Sequence, residues 1–121
     1  MQFQDVQADQ LASLTRDQAD ALGFGIVRVD DEGKIELYNR WEAEMAGVAA
    51  TSAEGRNFFT QVAPCTNNRL VYGRFKEGVT KGEFDVSLNY TFTYKMKPTN
   101  VKMRLVRSAR ANKNFVLVAK P

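Results

Sequence analysis

Apolar positions along the chain change their period three times. Over the first two dozen residues Phe3, Val6, Leu11, Leu14 and Leu22 read as parts of short helices. Thr15 supplies an N-cap ahead of a helix over 16–22, and Gly23 stops it. The apolar content here is modest, so this segment is expected to dock on a core rather than form one. At Phe24 the pattern turns to strand: FGIVRV (24–29), a DDEG turn (30–33) and the return strand KIELY (34–38) predict a hairpin. Asn39 then caps a short helix running through Glu44, and Gly47 ends it. SAEGRNFFTQV reads as a loop and short helix leading into APCT. Val71, Tyr72, Phe75 and Val79 return to helical spacing over 69–81, against the weak helix formers Gly73 and Gly78. Three strands close the chain, over 83–96, 99–109 and 114–119, with turns at Pro98 and at ANKN. Tyr90, Phe92 and Tyr94 lie at period two in the first of these and point to one face.

This order predicts an α+β domain with a central five-stranded antiparallel sheet flanked by short helices. It suits a PAS-like fold, although fold alone does not give function. A chain of 121 residues with no repeat, low-complexity tract or linker reads as one domain, with an N-terminal helical cap over 1–23 and a core over 24–121. No apolar run approaches the roughly 18 residues of a membrane helix. The opening MQFQDVQADQ is too polar for a signal peptide. The expectation is a cytoplasmic protein, monomeric and without a membrane partner.

Two counts restrict the chemistry. One cysteine, Cys65, cannot form an internal disulfide, and the absence of histidine removes a Cys–His nucleophile pair and the commonest metal ligand. A thiol enzyme is therefore disfavoured, and a structural zinc site lacks ligands. The net charge is +3, but no acid follows Asp85 while eight Lys and Arg do. That could serve nucleic acid. The preferred reading is that Lys102, Arg104 and the other alternating charges form the wet face of an antiparallel strand, with no nucleic-acid partner.

Cys65 sits in VAPCT, where Pro64 restricts Ala63 and fixes the chain direction. A lone cysteine is either a small buried hydrophobe or a reactive group, and a turn ahead of the 69–81 helix would bring backbone N–H groups near the sulfur. Tyr38 closes a strand and Glu42 lies four residues on, at a helix start, where both can reach one place. A phenol hydroxyl and a protonated carboxyl are both donors and could together hold a phenolate oxygen. An interfacial Tyr and an exposed Glu would satisfy the same spacing.

From about residue 20 to residue 118 the chain resembles the photoactive yellow protein family. The segments that carry the likeness are LGFGIVRVD, IELYN with Glu42 beyond it, GRNFFTQVAPCT, YGRFKEGV and YTFTYKMKPT, without a gap from Gly23 to Pro98. The resemblance implies a blue-light photoreceptor, not an enzyme, with p-coumaric acid held as a thioester on Cys65. It implies Tyr38 and Glu42 as donors to the phenolic oxygen, with Glu42 kept protonated in the dark. It also implies Ala46, Phe58, Phe59, Pro64, Phe92 and Met96 around the ligand, although the aromatics could equally be plain core. Trans–cis isomerisation would break a bond from the Cys65 N–H, Glu42 would give up its proton, and release of the cap would signal to a downstream protein not identifiable from sequence. Three positions depart from the family pattern: Ala46 replaces a threonine that bonds the tyrosine, Val48 replaces an arginine lid, and Phe115 replaces a tryptophan in what reads as an exposed tail. Trp41, beside Glu42, is assigned to packing. The main alternative is a PAS-like ligand-binding or protein-interaction module without photochemistry.

Overall fold

Five strands, β1 (Gly25–Val29), β2 (Ile35–Tyr38), β3 (Asp85–Phe92), β4 (Thr99–Ser108) and β5 (Lys113–Ala119), pair antiparallel in the spatial order β2-β1-β5-β4-β3. The structure is a computed structural model that describes residues 1–93 and 97–121. The expected places of Tyr94 on the aromatic face, of Met96 at the site and of the third strand's end at 96 lie outside the described residues. Otherwise the predicted α+β architecture is the observed one.

Helices cover both faces. α1 (Ala8–Ala12) and α2 (Arg16–Asp20) precede the sheet, and Thr15 caps α2 by accepting from the Gln18 N–H, as its sequence position requires. α3 (Arg40–Ala46) starts at Asn39, whose side chain accepts from the Glu42 N–H, and stops at Gly47 with φ 70°. α4 (Ala50–Ala53) comes next. The predicted helix over 69–81 is real but not uniform. Arg69–Gly73 forms a π-helical turn capped by Asn68, and only α5 (Arg74–Lys81) is α-helical. Phe58–Val62 is likewise a π-helical turn, capped by Asn57.

The alternation along the strands divides the interior in two. On one face Val27, Val29, Val101, Met103, Leu105, Val116 and Val118 pack with Phe58, Phe59, Val71 and Phe75. On the other face Ile26, Leu37, Val106, Phe115 and Leu117 pack against Val6, Leu11 and Ala19 of the N-terminal segment. Burying each such side chain contributes about 1.5–3 kcal/mol.

Two sequence expectations change here. Phe115 is 2% exposed, in the second cluster, not in an exposed tail. Arg104 is 5% exposed, not on a wet face. It pairs bidentately with Asp85, at 2.9 Å on both arms, and its Nη1 donates to the carbonyls of Phe3 (3.2 Å) and Val6 (2.6 Å). The N-terminal segment covers this side of β4, and a buried guanidinium is tolerable because its donors are satisfied. Lys102 stays exposed, as expected.

Candidate functional site

β1 and β2 pair in register through Val27↔Tyr38 and Arg28↔Leu37, then shift by one, so that Val29 faces Ile35 and Glu36 is the extra residue. This bulge alters the phase of the strand. Ile35 and Tyr38, three apart, would otherwise point to opposite faces. With the bulge both enter the first core, while Leu37 enters the second. Tyr38 is 1% exposed there.

Asn39 fixes the geometry of the next helix. Its Oδ1 accepts from Ile26 N–H (2.9 Å) and Glu42 N–H (3.2 Å), and its Nδ2 donates to the carbonyls of Ala19 (2.9 Å) and Phe24 (3.0 Å). One buried side chain therefore joins α2, β1 and the start of α3, and so sets where Glu42 points. The Glu42 carboxyl lies against the backbone of Gly25. A Cβ there would overlap Glu42 Oε1 and crowd the Trp41 ring, so β1 must carry glycine at that position to admit the acid. Glu42 is 1% exposed, and its Oε1 is buried without a hydrogen-bond partner among the described residues. Burial pushes its pKa from the ordinary 4.5 up to about 8, so the carboxyl is largely protonated at neutral pH. Burial, and next the neighbouring Glu42 charge, raise the Tyr38 phenol from its ordinary value. Both groups are thus neutral donors.

Cys65 is a free, half-buried thiol in a short 3₁₀ turn, Pro64–Thr66, and it packs against the same core as Tyr38. Its carbonyl is held from two sides: the Tyr90 hydroxyl donates to it, and Asn68 Nδ2 donates both to it (3.2 Å) and to the Tyr90 oxygen (2.7 Å). Thr66 locks the turn by donating to the Ala63 carbonyl (2.6 Å). Of the other predicted lining residues, Phe58, Phe59 and Phe92 are buried in the core that Cys65 adjoins. Phe59 stacks on Tyr72 with ring centres 4.5 Å apart and meets Phe75 at 4.8 Å, so its ring is committed to an aromatic stack. Ala46, in the last turn of α3, is half-buried, and Val48 packs against the core. Gly25, Asn39, Asn68 and Tyr90 were missed by the sequence reading as site residues. Only Asn39 carried a signal, as an N-cap.

Among the described residues no group of His, Cys, Asp and Glu could hold a metal ion, and no helix is long and apolar enough to cross a membrane.

No protein-family model matches the chain. It is 36% identical over 115 residues to a photoactive yellow protein of Rhodothalassium salexigens, covering 95% of this chain and 92% of that one. The photoactive yellow protein domain of the sensor histidine kinase Ppr from Rhodospirillum centenum superposes with a TM-score of 0.87 at 35% identity, covering 93% of this chain and 99% of that domain. The PAS domain of Bordetella pertussis BvgS shares the fold, with a TM-score of 0.64 at 17% identity over 92% of this chain and 84% of that one.

Proposed function

The chain belongs to the photoactive yellow protein family, and from that premise we propose that it is a blue-light photoreceptor carrying a p-coumaroyl group as a thioester on Cys65. The observation that carries the reading is the Oε1 of Glu42, buried near Tyr38 and without a hydrogen-bond partner among the described residues, on an acid whose burial favours the neutral form. An unpaired buried polar group costs about 1–3 kcal/mol. A phenolate presented to Tyr38 and Glu42 would relieve that cost, and a carboxyl kept neutral to donate is an established device.

The bound group supplies a conjugated double bond that isomerises in blue light and a phenolate that accepts a proton. The protein supplies the rest. Cys65 Sγ holds the acyl carbon, while Tyr90 and Asn68 hold the Cys65 carbonyl still. Tyr38 and Glu42 orient and stabilise the anion in the dark. Glu42 then gives up its proton and is left as a carboxylate in a site where an unpaired charge costs several kcal/mol. The N-terminal residues 1–23 act as a cap over the second core, and their release, driven by that charge, is the signal to a downstream protein. The protein works as a monomeric, cytoplasmic sensor and not as an enzyme.

Intact-mass measurement after supplying the activated hydroxycinnamate tests this. One coumaroyl group should be added, with a blue-absorbing band, and Cys65→Ala should take up none and stay colourless. A coloured Cys65→Ala protein would overturn the anchor. A colourless wild type would favour a PAS-like module without photochemistry.

A further inference from the structure

Glu54 lies just past the end of α4, remote in sequence from both groups it touches. Its Oε2 accepts from the Tyr38 N–H (3.0 Å) and from Arg16 Nη2 on α2 (2.6 Å). β2 is an edge strand, so among the described residues the outward N–H of Tyr38 has no neighbouring strand to donate to. The chain after α4 covers this edge: Ile35 N–H donates to the Arg56 carbonyl (2.8 Å) and Gly55 N–H to the Ile35 carbonyl (2.9 Å). Glu54 extends that cover to Tyr38, with a side chain instead of backbone. The same oxygen then reaches the N-terminal helices. The two residues after Tyr38 are tied to α2 directly, by Asn39 Nδ2 to the Ala19 carbonyl and by Arg40 N–H to Asp20 Oδ1 (2.8 Å).

We propose that Glu54 is a positioning residue that couples α2 to Tyr38. One carboxylate oxygen orders a strand amide on one side and a guanidinium on the other. Arg16 fixes the carboxylate, and the fixed carboxylate fixes the end of β2 from which the Tyr38 ring enters the core. The Arg16 side chain is 47% exposed and that of Glu54 24%, so neither can be a packing residue of the core. The tie between strand and helix therefore depends on geometry rather than on buried area. Its role in light sensing rests on the photoreceptor reading, but the coupling itself does not require the chromophore.

Amide hydrogen exchange of the chromophore-free protein, resolved at the Tyr38 N–H by NMR, tests the coupling. Glu54→Ala should speed exchange at Tyr38 about tenfold, the loss of one charge-assisted hydrogen bond. Arg16→Met, which does not touch Tyr38, should speed it about two- to fivefold. The double variant should exchange no faster than Glu54→Ala alone, because the effect of Arg16 passes through Glu54. Glu54→Gln keeps an acceptor for both donors and should stay within about threefold of wild type, which separates loss of the bond from misfolding. In the reconstituted protein, Arg16→Met and Glu54→Ala should shift the absorption maximum in the same direction. Wild-type exchange at Tyr38 in Arg16→Met would overturn the coupling. So would a double variant showing the product of the two single effects. A wild type that stays colourless on reconstitution would instead overturn the photoreceptor reading and leave the exchange result standing.

Discussion

Glu42→Gln in the chromophore-free protein isolates the energetics of the buried acid. The native carboxyl titrates near 8 when folded against an ordinary 4.5, so the folded state binds its proton more tightly than the unfolded state does. Stability from this group is therefore fully present below pH 4.5 and is lost as pH rises through about 8. One pKa unit corresponds to about 1.4 kcal/mol. Between pH 4 and pH 7 the native protein should lose about 3 kcal/mol from this group alone, and by pH 9 about 5 kcal/mol. That is a large share of the 5–15 kcal/mol typical of a folded domain. Glutamine is nearly isosteric and cannot ionise. Its amide inherits whatever the unpartnered Oε1 position costs, but that cost does not vary with pH. Urea unfolding of both proteins at pH 4, 7 and 9 reads the difference directly, since the other carboxylates cancel between them. The variant should gain on the native protein by about 3 and then about 5 kcal/mol along that series. A difference constant to within about 1 kcal/mol would mean that Glu42 is not held neutral by burial, and the argument for it as a stored proton would fail.

Gly25→Ala should destabilise the protein by about 1–3 kcal/mol, because the new methyl overlaps Glu42 Oε1, and it should displace Glu42 enough to move the absorption maximum of the reconstituted protein. Wild-type stability and colour together would contradict the close approach. Arg104→Met should cost about 2–3 kcal/mol through the bonds lost to Asp85, Phe3 and Val6, and should raise hydrogen exchange over residues 1–12 well before the sheet. Uniform loosening of the whole chain would mean that Arg104 does not fasten the N-terminus in particular. On the proposed photoreceptor reading, Ala46→Thr would give Tyr38 a further partner in holding the phenolate. Stabilising the anion lowers the chromophore's pKa, so acid bleaching should move to lower pH by up to about one unit. An absorbance titration with an unchanged or higher midpoint would show that Tyr38 is already fully positioned.

The elements themselves were legible because each has a local cause. Thr15 and Asn39 cap helices, Gly47 ends one, and in the hairpin over 25–38 two apolar runs flank a polar turn. The features that escaped depend on contacts between distant residues. Strand alternation shows that Arg104 points away from Met103 and Leu105, but not whether that face meets water or a segment a hundred residues earlier. The Phe3 and Val6 carbonyls decide it. Phe115 was misplaced for the same reason, since its neighbours belong to the same N-terminal cluster. The π-helical turns at Phe58–Val62 and Arg69–Gly73 leave a helical pattern of apolar residues and so read as ordinary helix. At the site, the spacing of Tyr38 and Glu42 was visible, but equally compatible with an exposed acid. The partner that decides is Gly25, where the informative feature is a missing side chain. Asn68 and Tyr90 meet only because the turn at Cys65 folds against β3, which no local pattern announces.

The bulge at Glu36 gives one strand of the hairpin slack that its partner lacks. In a plain alternating strand, residues two apart share a face, so a chain without Glu36 would still turn Ile35 and Tyr38 into the first core and Leu37 into the second. The extra residue is a spacer as far as the tyrosine is concerned, and its removal would sacrifice only the charge it offers Arg28 and Lys113. β1 has no such spacer. It pairs without interruption to β5 along its whole length, so a residue lost between Gly25 and Val29 would move the glycine out from under Glu42 or break the pairing. Hairpins on this frame can therefore differ in length by one at Glu36, or by more at the exposed tip, with the tyrosine still in the first core. A gap in the strand opposite would instead mark a chain whose acid can no longer be seated.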